Sequence, residues 1–258
     1  MKLIILAAGQ GSRLWKYTRQ NPKGMIEFAG KSLLKHQIDL FRKKGITDIS
    51  IVTGYKKEKI IFDDIKYYVN DNFLKTNMVT SLMCAQAEFN DDCIVSYSDL
   101  IFEEKVIDEI LGSDYEIGIT VDKDFNDYWK CRLGESYSDD LESLVISENM
   151  INSIGNPNPT IKEIDGRYVG LIRFSKAGIQ CLVSHFKQLR HINPISKNSN
   201  RSFEKWHMTD LFQSMIDADH KLKPIIIHKG WLEFDTEKDY EIYQDWYNDG
   251  SLKRFIRL

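Results

Sequence analysis

The first thirty residues, MKLIILAAGQGSRLWKYTRQNPKGMIEFAG, constrain the fold more than any other stretch of the chain. Leu3, Ile4, Ile5 and Leu6 form an apolar run too short to cross a membrane and patterned as a buried strand. Small residues follow at once, interrupted only by Gln10: Ala7, Ala8, Gly9, Gly11 and Ser12, then Arg13. A loop of this kind lets backbone N–H groups approach an anion with no Cβ in the way. Arg13 adds a rigid fork of donors, and Lys23, after the stiff Pro22, adds a mobile point charge. A backbone cradle, one arginine and one lysine arriving from separate places are the parts a triphosphate needs. The Gly-Lys-Ser/Thr ending of a Walker loop is absent, and the third glycine of a dinucleotide fingerprint is replaced near Arg13.

The rest of the chain repeats the strand–helix alternation of an α/β protein. Ser32 can cap a helix carrying Leu34, Ile38 and Phe41 on one face, with Gly45 at its end. Asp48–Gly54 reads as a second strand, Lys56–Asp63 as a short charged helix and Lys66–Val69 as a third strand. This order predicts a parallel sheet with right-handed crossovers and a ligand at the carboxyl ends of its strands. Cys93–Phe102 reads as a fourth strand, Glu103–Leu111 as a helix and Tyr115–Val121 as another strand. Leu141–Ser147, Met150–Ile154 and Tyr168–Phe174 read as strands of a mixed region, with an exposed loop at Gly155–Pro159. Ser175–Leu189 is helical and His191–Arg201 a polar, mobile loop; Met208, Leu211, Phe212, Met215 and Ile216 have helical spacing. Pro224–His228 is the last buried strand, and Thr236 with an acid three residues on starts the final helix.

Charge and cysteines narrow the function classes. The 258 residues carry a formal net charge of −3, which argues against a broad nucleic-acid or anionic-membrane surface. No apolar run approaches the length of a transmembrane helix, and the first strand begins without a signal-peptide pattern. Cys84, Cys93, Cys131 and Cys181 lack CxxC spacing and read as free thiols in a reducing cytoplasm. The six histidines show no HxxxH pair, so zinc is not expected.

Three strings, LAAGQGSRL, then PKGM, then IEFAGKSLL, resemble the signature of the nucleotidyltransferase superfamily, whose members join a nucleoside triphosphate to a phosphorylated acceptor and release pyrophosphate. The resemblance implies an α/β, Rossmann-like three-layer sandwich with a mostly parallel central mixed sheet, as in nucleotide-diphospho-sugar transferases. One domain over 1–258 is expected, with an acceptor-side subregion at about 122–210. Asp99, before a hydrophobic pair and Phe102, matches the superfamily's magnesium-binding aspartate. WLEFDTEKDYE resembles the terminal metal motif, making Asp235 the second ligand and Glu233 a helper. Taken singly, each aspartate also fits an ordinary turn or helix-cap residue, and the family reading is the stronger of the two. Within this reading Lys23 contacts the α-phosphate and the incoming acceptor, Arg13 the β- and γ-phosphates, and Leu6–Ser12 cradle the nucleotide.

Asn70–Leu82 resembles the stretch that lies beside the base in phosphocholine cytidylyltransferases, which brings in Asn77, Thr80 and Ser81; singly, each could be a loop or cap residue. DKDFNDYW, DLESL, IGN and EIDGRYVGLIRFS are similar to phosphocholine, aminoethylphosphonate and phosphoglutamine cytidylyltransferases. The expected activity is CMP transfer from CTP to a small amine-bearing phosphate or phosphonate, with Mg2+ as cofactor. Sugar-1-phosphate nucleotidyl transfer and a non-catalytic nucleotide-binding module are the alternatives. For the acceptor, aromatic faces from Tyr128, Trp129, Tyr168, Trp206 and Trp231 and charge from Asp124, Asp127, Glu163 and Asp210 could hold an amine. The same aromatics could pack in the core. Arg132 and Arg173 could hold a carboxylate or be ordinary surface charges. The sequence leaves a homodimer open.

Overall fold

The first strand, β1 (Lys2–Ala7), sends alternate side chains into two cores. Leu3, Ile5 and Ala7 join one cluster, Ile4 and Leu6 the other. From Leu3 to Ala7 every position is apolar and buried, because both faces of the sheet are covered there. The computed structural model describes all 258 residues, except for the side chains of Asp139 and Ile161.

After β1 come α1 (Trp15–Thr18), the small hairpin β2 (Glu27–Phe28) and β3 (Lys31–Ser32), and α2 (Leu33–Lys43). Ser32 caps α2 through the Lys35 N–H, as its position in the sequence suggests. Next are β4 (Ile49–Thr53), β5 (Lys66–Val69), α3 (Met78–Cys84), β6 (Cys93–Tyr97), β7 (Leu100–Phe102) and α4 (Glu104–Gly112). The second half adds β8 (Ile117–Asp122), α5 (Phe125–Leu133), β9 (Leu144–Ser147), β10 (Met150–Ile154), β11 (Arg167–Phe174) and α6 (Lys176–Ile192). It closes with α7 (Met208–Ile216), β12 (Lys223–Ile227), β13 (Trp231–Glu233) and α8 (Glu237–Asp249).

Seven strands form the central sheet in the order β12-β8-β11-β6-β1-β4-β5. Only β11 runs against its neighbours. The chain leaves β1 toward β4 and β5 on one side, then returns to place β6 on the other. That reversal opens a crevice at the carboxyl end of β1, where ligands collect in open α/β sheets. Helices α2, α4 and α8 contribute to one core, α3, α6 and α7 to the other. The result is the three-layer arrangement expected.

Three segments depart from the sequence reading. Lys56–Asp63 forms only a single 3-10 turn at Lys57–Lys59, because none of the turn's residues is buried and it has no face to pack. Cys93–Phe102 is not one strand. It breaks at Ser98 and Asp99, and β7 leaves the main sheet to pair antiparallel with β13, Leu100 opposite Glu233. The stretch expected to be a mobile loop begins inside α6, and the rest is tied down: Asp210 Oδ1 accepts from Ser196 at 2.5 Å and Ser199 at 2.6 Å.

Candidate active site

The β7–β13 ribbon brings two acids far apart in sequence to one place. Asp99 immediately precedes β7 and Asp235 closely follows β13; the Phe234 N–H donates to the Asp99 carbonyl at 2.9 Å across the ribbon. Facing them is the loop after β1. Gly11 there has φ +65°, and a Cβ on it would lie 3.1 Å from the Lys23 Cβ and 3.2 Å from the Thr18 Cγ2. Glycine therefore serves both the left-handed turn and the passage of the lysine beside it.

The charges meet closely. Lys23 Nζ donates to Asp99 Oδ2 at 2.6 Å and to Asp235 Oδ1 at 3.1 Å. Arg13 Nη2 lies 2.5 Å from the other oxygen of Asp235. Burial alone would lower the Lys23 pKa, but the charges of Asp99 and Asp235 outweigh it and raise the pKa, so the ammonium persists. Burial likewise opposes ionisation of Asp235, and Lys23 and Arg13 overcome it, holding the carboxyl below its ordinary value. Glu233 differs: burial dominates over Arg132, and its pKa is raised.

Beneath this cluster lies a second layer. Arg132 is buried and donates from Nε and Nη2 to Asp239 Oδ1 and Oδ2, each at 2.8 Å, and from Nη1 to Glu233 Oε2 at 2.9 Å. Asp239 in turn accepts from the backbone N–H groups of Asp235 at 3.0 Å and Thr236 at 2.7 Å. The guanidinium thus positions the Asp235 backbone through α8.

Two adjoining cavities open here. The larger, about 370 Å³, is lined by Leu6, Ala8, Gly9, Gly11, Ser12, Arg13, Lys23, Asn77, Ser81, Asp99, Glu233 and Asp235 among the residues expected from sequence. Ala7 is core, Gln10 sits outside the lining and Thr80 lines a different cavity. The second, about 260 Å³, shares Arg13, Tyr97, His207, Glu233 and Asp235 with the first and adds Asp140, Glu142, Arg167, Tyr168 and Arg201.

Of the expected acceptor residues, only Tyr168 lines these cavities. Tyr128 and Trp129 are buried in the aromatic core with Trp231, and Trp206 packs on Phe203. Arg132 is the structural guanidinium just described. Glu163 is spent on a capping box with Thr160, accepting from the Thr160 N–H at 2.7 Å. Asp210 caps α7 and holds the loop before it. Asp124 faces His228, Asp127 faces Lys229 and Arg254, and Arg173 bonds the Tyr115 carbonyl and Asp92. Aromatic and acidic composition does not separate lining from packing.

His207 has no signal in the sequence, because a lone histidine before a helix carries no motif. It caps α7 reciprocally with Asp210, its ring accepting from the Asp210 N–H, which requires the neutral form. Burial, with help from Arg201 and Arg13, pushes its pKa down to about 4.

Residues 3–136 match the model of the MobA-like NTP transferase domain. A CTP:phosphoglutamine cytidylyltransferase of Campylobacter jejuni is 30% identical over 254 residues, covering 94% of this chain and 98% of that protein. This chain belongs to the MobA-like NTP transferase family. Among solved structures, the CTP:phosphocholine cytidylyltransferase of Streptococcus pneumoniae superimposes with a TM-score of 0.69 at 19% identity, covering 95% of this chain and 98% of that one. The inositol-1-phosphate CTP transferase of T. maritima gives 0.70 at 18% identity, covering 94% and 93%. These similarities show that the family's fold extends over nearly the whole chain.

The family's chemistry calls for a divalent metal, and the donor set fits one. Asp99 Oδ1 is buried without a hydrogen-bond partner, while Asp99 Oδ2 and Asp235 Oδ1 already share one cation, the Lys23 ammonium. Among the described residues no group of three or more metal-ligating side chains occurs. Two hard carboxylates are nevertheless what magnesium uses when substrate phosphates and water complete its shell.

Proposed function

We propose that the protein is a magnesium-dependent cytidylyltransferase, transferring CMP from CTP to a small amine-bearing phosphate or phosphonate and releasing pyrophosphate. The observation that carries this reading is the convergence of Asp99 and Asp235 on Lys23, with Arg13 alongside, at the mouth of a glycine-lined cavity. The likeness to a relative named as a phosphoglutamine cytidylyltransferase supports CTP and an amine-bearing acceptor. Asn77 supports the base: its oxygen accepts from the Met78 N–H, leaving its amide N–H groups free to donate to the acceptor edge of cytosine.

The reaction joins an acceptor phosphate oxygen to the α-phosphorus of CTP as the bond to pyrophosphate breaks. Its barrier is mutual repulsion of anions, so positioning and electrostatics supply most of the catalysis. The loop from Ala8 to Ser12 seats the triphosphate. Lys23 lies where the two reactants meet, and Arg13 stabilises the departing pyrophosphate. Asp99 and Asp235, with Glu233 beside them, would hold magnesium, which neutralises phosphate charge when bound. A phosphate dianion needs no general base. The acceptor enters through the second cavity, which adjoins the first at Asp235.

No helix among the described residues is long and apolar enough to cross a membrane. The proposed setting is the cytoplasm, where a CDP-activated head group would be made for cell-surface glycan or lipid modification. A homodimer is compatible with this role. The test is pyrophosphate release with each of four nucleoside triphosphates against phosphocholine, aminoethylphosphonate, phosphoglutamine and hexose-1-phosphates. CTP with an amine-bearing acceptor is the expected pair. Preference for UTP or dTTP with hexose phosphates would overturn the proposal, and CTP binding without turnover on any acceptor would leave a nucleotide-binding module.

A further inference from the structure

The second cavity contains one carboxylate whose charge nothing else answers. Asp235 is bound by Lys23 and Arg13, and Glu233 by Arg132. Asp140 is paired with Arg167, whose guanidinium also lies 4.3 Å from the Trp129 ring centroid. Outside the lining, Asp210 accepts from two serines and the His207 N–H, with Arg201 further off at 3.4 Å. Glu142 alone makes no hydrogen bond or ion pair to any described residue, although it is half-buried. It stands in the segment joining the turn that follows α5 to β9, beside the Tyr97–Tyr168 wall.

That wall is built. Tyr168 Oη donates to Tyr97 Oη at 3.0 Å, and the rings meet edge to face at 6.1 Å. Gly170, at φ +78°, admits the Tyr97 ring to a place where a Cβ would lie 2.6 Å from it. Two aromatic rings and one unanswered carboxylate, in a cavity otherwise balanced in charge, form a receptor for an organic cation. A half-buried carboxylate without a partner costs stability unless something it binds repays it.

We propose that Glu142 is the specificity residue for the acceptor, holding its ammonium group against the Tyr97–Tyr168 wall while the acceptor phosphate reaches toward Lys23 and Asp235. The assignment rests on the cytidylyltransferase reading. It goes further by naming the residue that separates amine-bearing acceptors from uncharged ones.

The experiment compares wild type with Glu142→Gln and Glu142→Asp in pyrophosphate release from CTP. The acceptors are phosphocholine, aminoethylphosphonate, phosphoglutamine and, as an amine-free probe, glycerol phosphate. Glu142→Gln should raise KM for the amine-bearing acceptors by about tenfold or more, the scale of one lost charge-assisted contact. Its kcat and its KM for CTP should change little, its KM for glycerol phosphate should not rise, and Glu142→Asp should recover part of the loss. Unchanged KM for every amine-bearing acceptor, or equal loss for amine-bearing and amine-free ones, overturns the assignment while leaving CMP transfer standing. Wild type that transfers CMP to none of the four overturns the reading of the site, and the role of Glu142 falls with it.

Discussion

Lys23 occupies the point on which both aspartates converge, so its removal separates binding from chemistry. Lys23→Ala should lower kcat by roughly 100- to 1,000-fold, the usual scale for losing a preorganised charge at the reacting centre, while KM for CTP changes far less. Steady-state kinetics decides, and unchanged kcat would remove Lys23 from the site. His207 gives a pH prediction. Its folded pKa of about 4 lies below the ordinary histidine value, so between those limits the unfolded chain binds more protons and stability falls as pH falls. His207→Gln should flatten that loss, on the order of 2 kcal/mol, in urea titrations from pH 7 to pH 4. Lys23 and Arg13 were legible because they stand in one motif with a glycine loop. Glu142 and His207 were not, because a residue that matters through what fails to pair with it, or through a reciprocal cap, has no local pattern.

At the scale of elements, the β7–β13 ribbon and the start of α8 set the geometry of the two aspartates. Three-residue strands are too short for a period to be read, so Cys93 to Phe102 reads as a single strand with no sign of the β13 partner. The α8 cap was legible: Thr236 accepts from the Asp239 N–H at 3.1 Å. What stayed hidden was the other use of Asp239, its bidentate pairing with Arg132. Arg132 looked like an acceptor ligand because spacing cannot reveal burial. Arg132→Met should leave Asp239 buried without its cation and destabilise the fold by about 3–5 kcal/mol. Thr236→Ala should cost only about 1 kcal/mol. Denaturant melts of both variants check the order, and a near-neutral Arg132→Met would show that the buried pair does not hold α8.

Across the whole molecule, a single reversal of strand order makes the site. β1 has β4 on one side and β6 on the other, and the crevice between them receives the loop after β1, the ribbon and the cap of α7. The parallel strands and their helices could be read from apolar runs because both sheet faces are covered. The second cavity could not, because α5 and its aromatics look as much like a lining as a core, and its walls come instead from residues scattered along the chain from Arg13 to Asp235. Asp99 and Asp235 are proposed to hold a divalent metal against the bound triphosphate. The decisive measurement is calorimetric titration of CTP, with and without Mg2+, into wild type, Asp99→Asn and Asp235→Asn. Wild type should bind CTP more tightly with Mg2+, and each variant should lose that gain together with pyrophosphate release. A variant that keeps both the Mg2+-dependent tightening and the activity of wild type would contradict the claim.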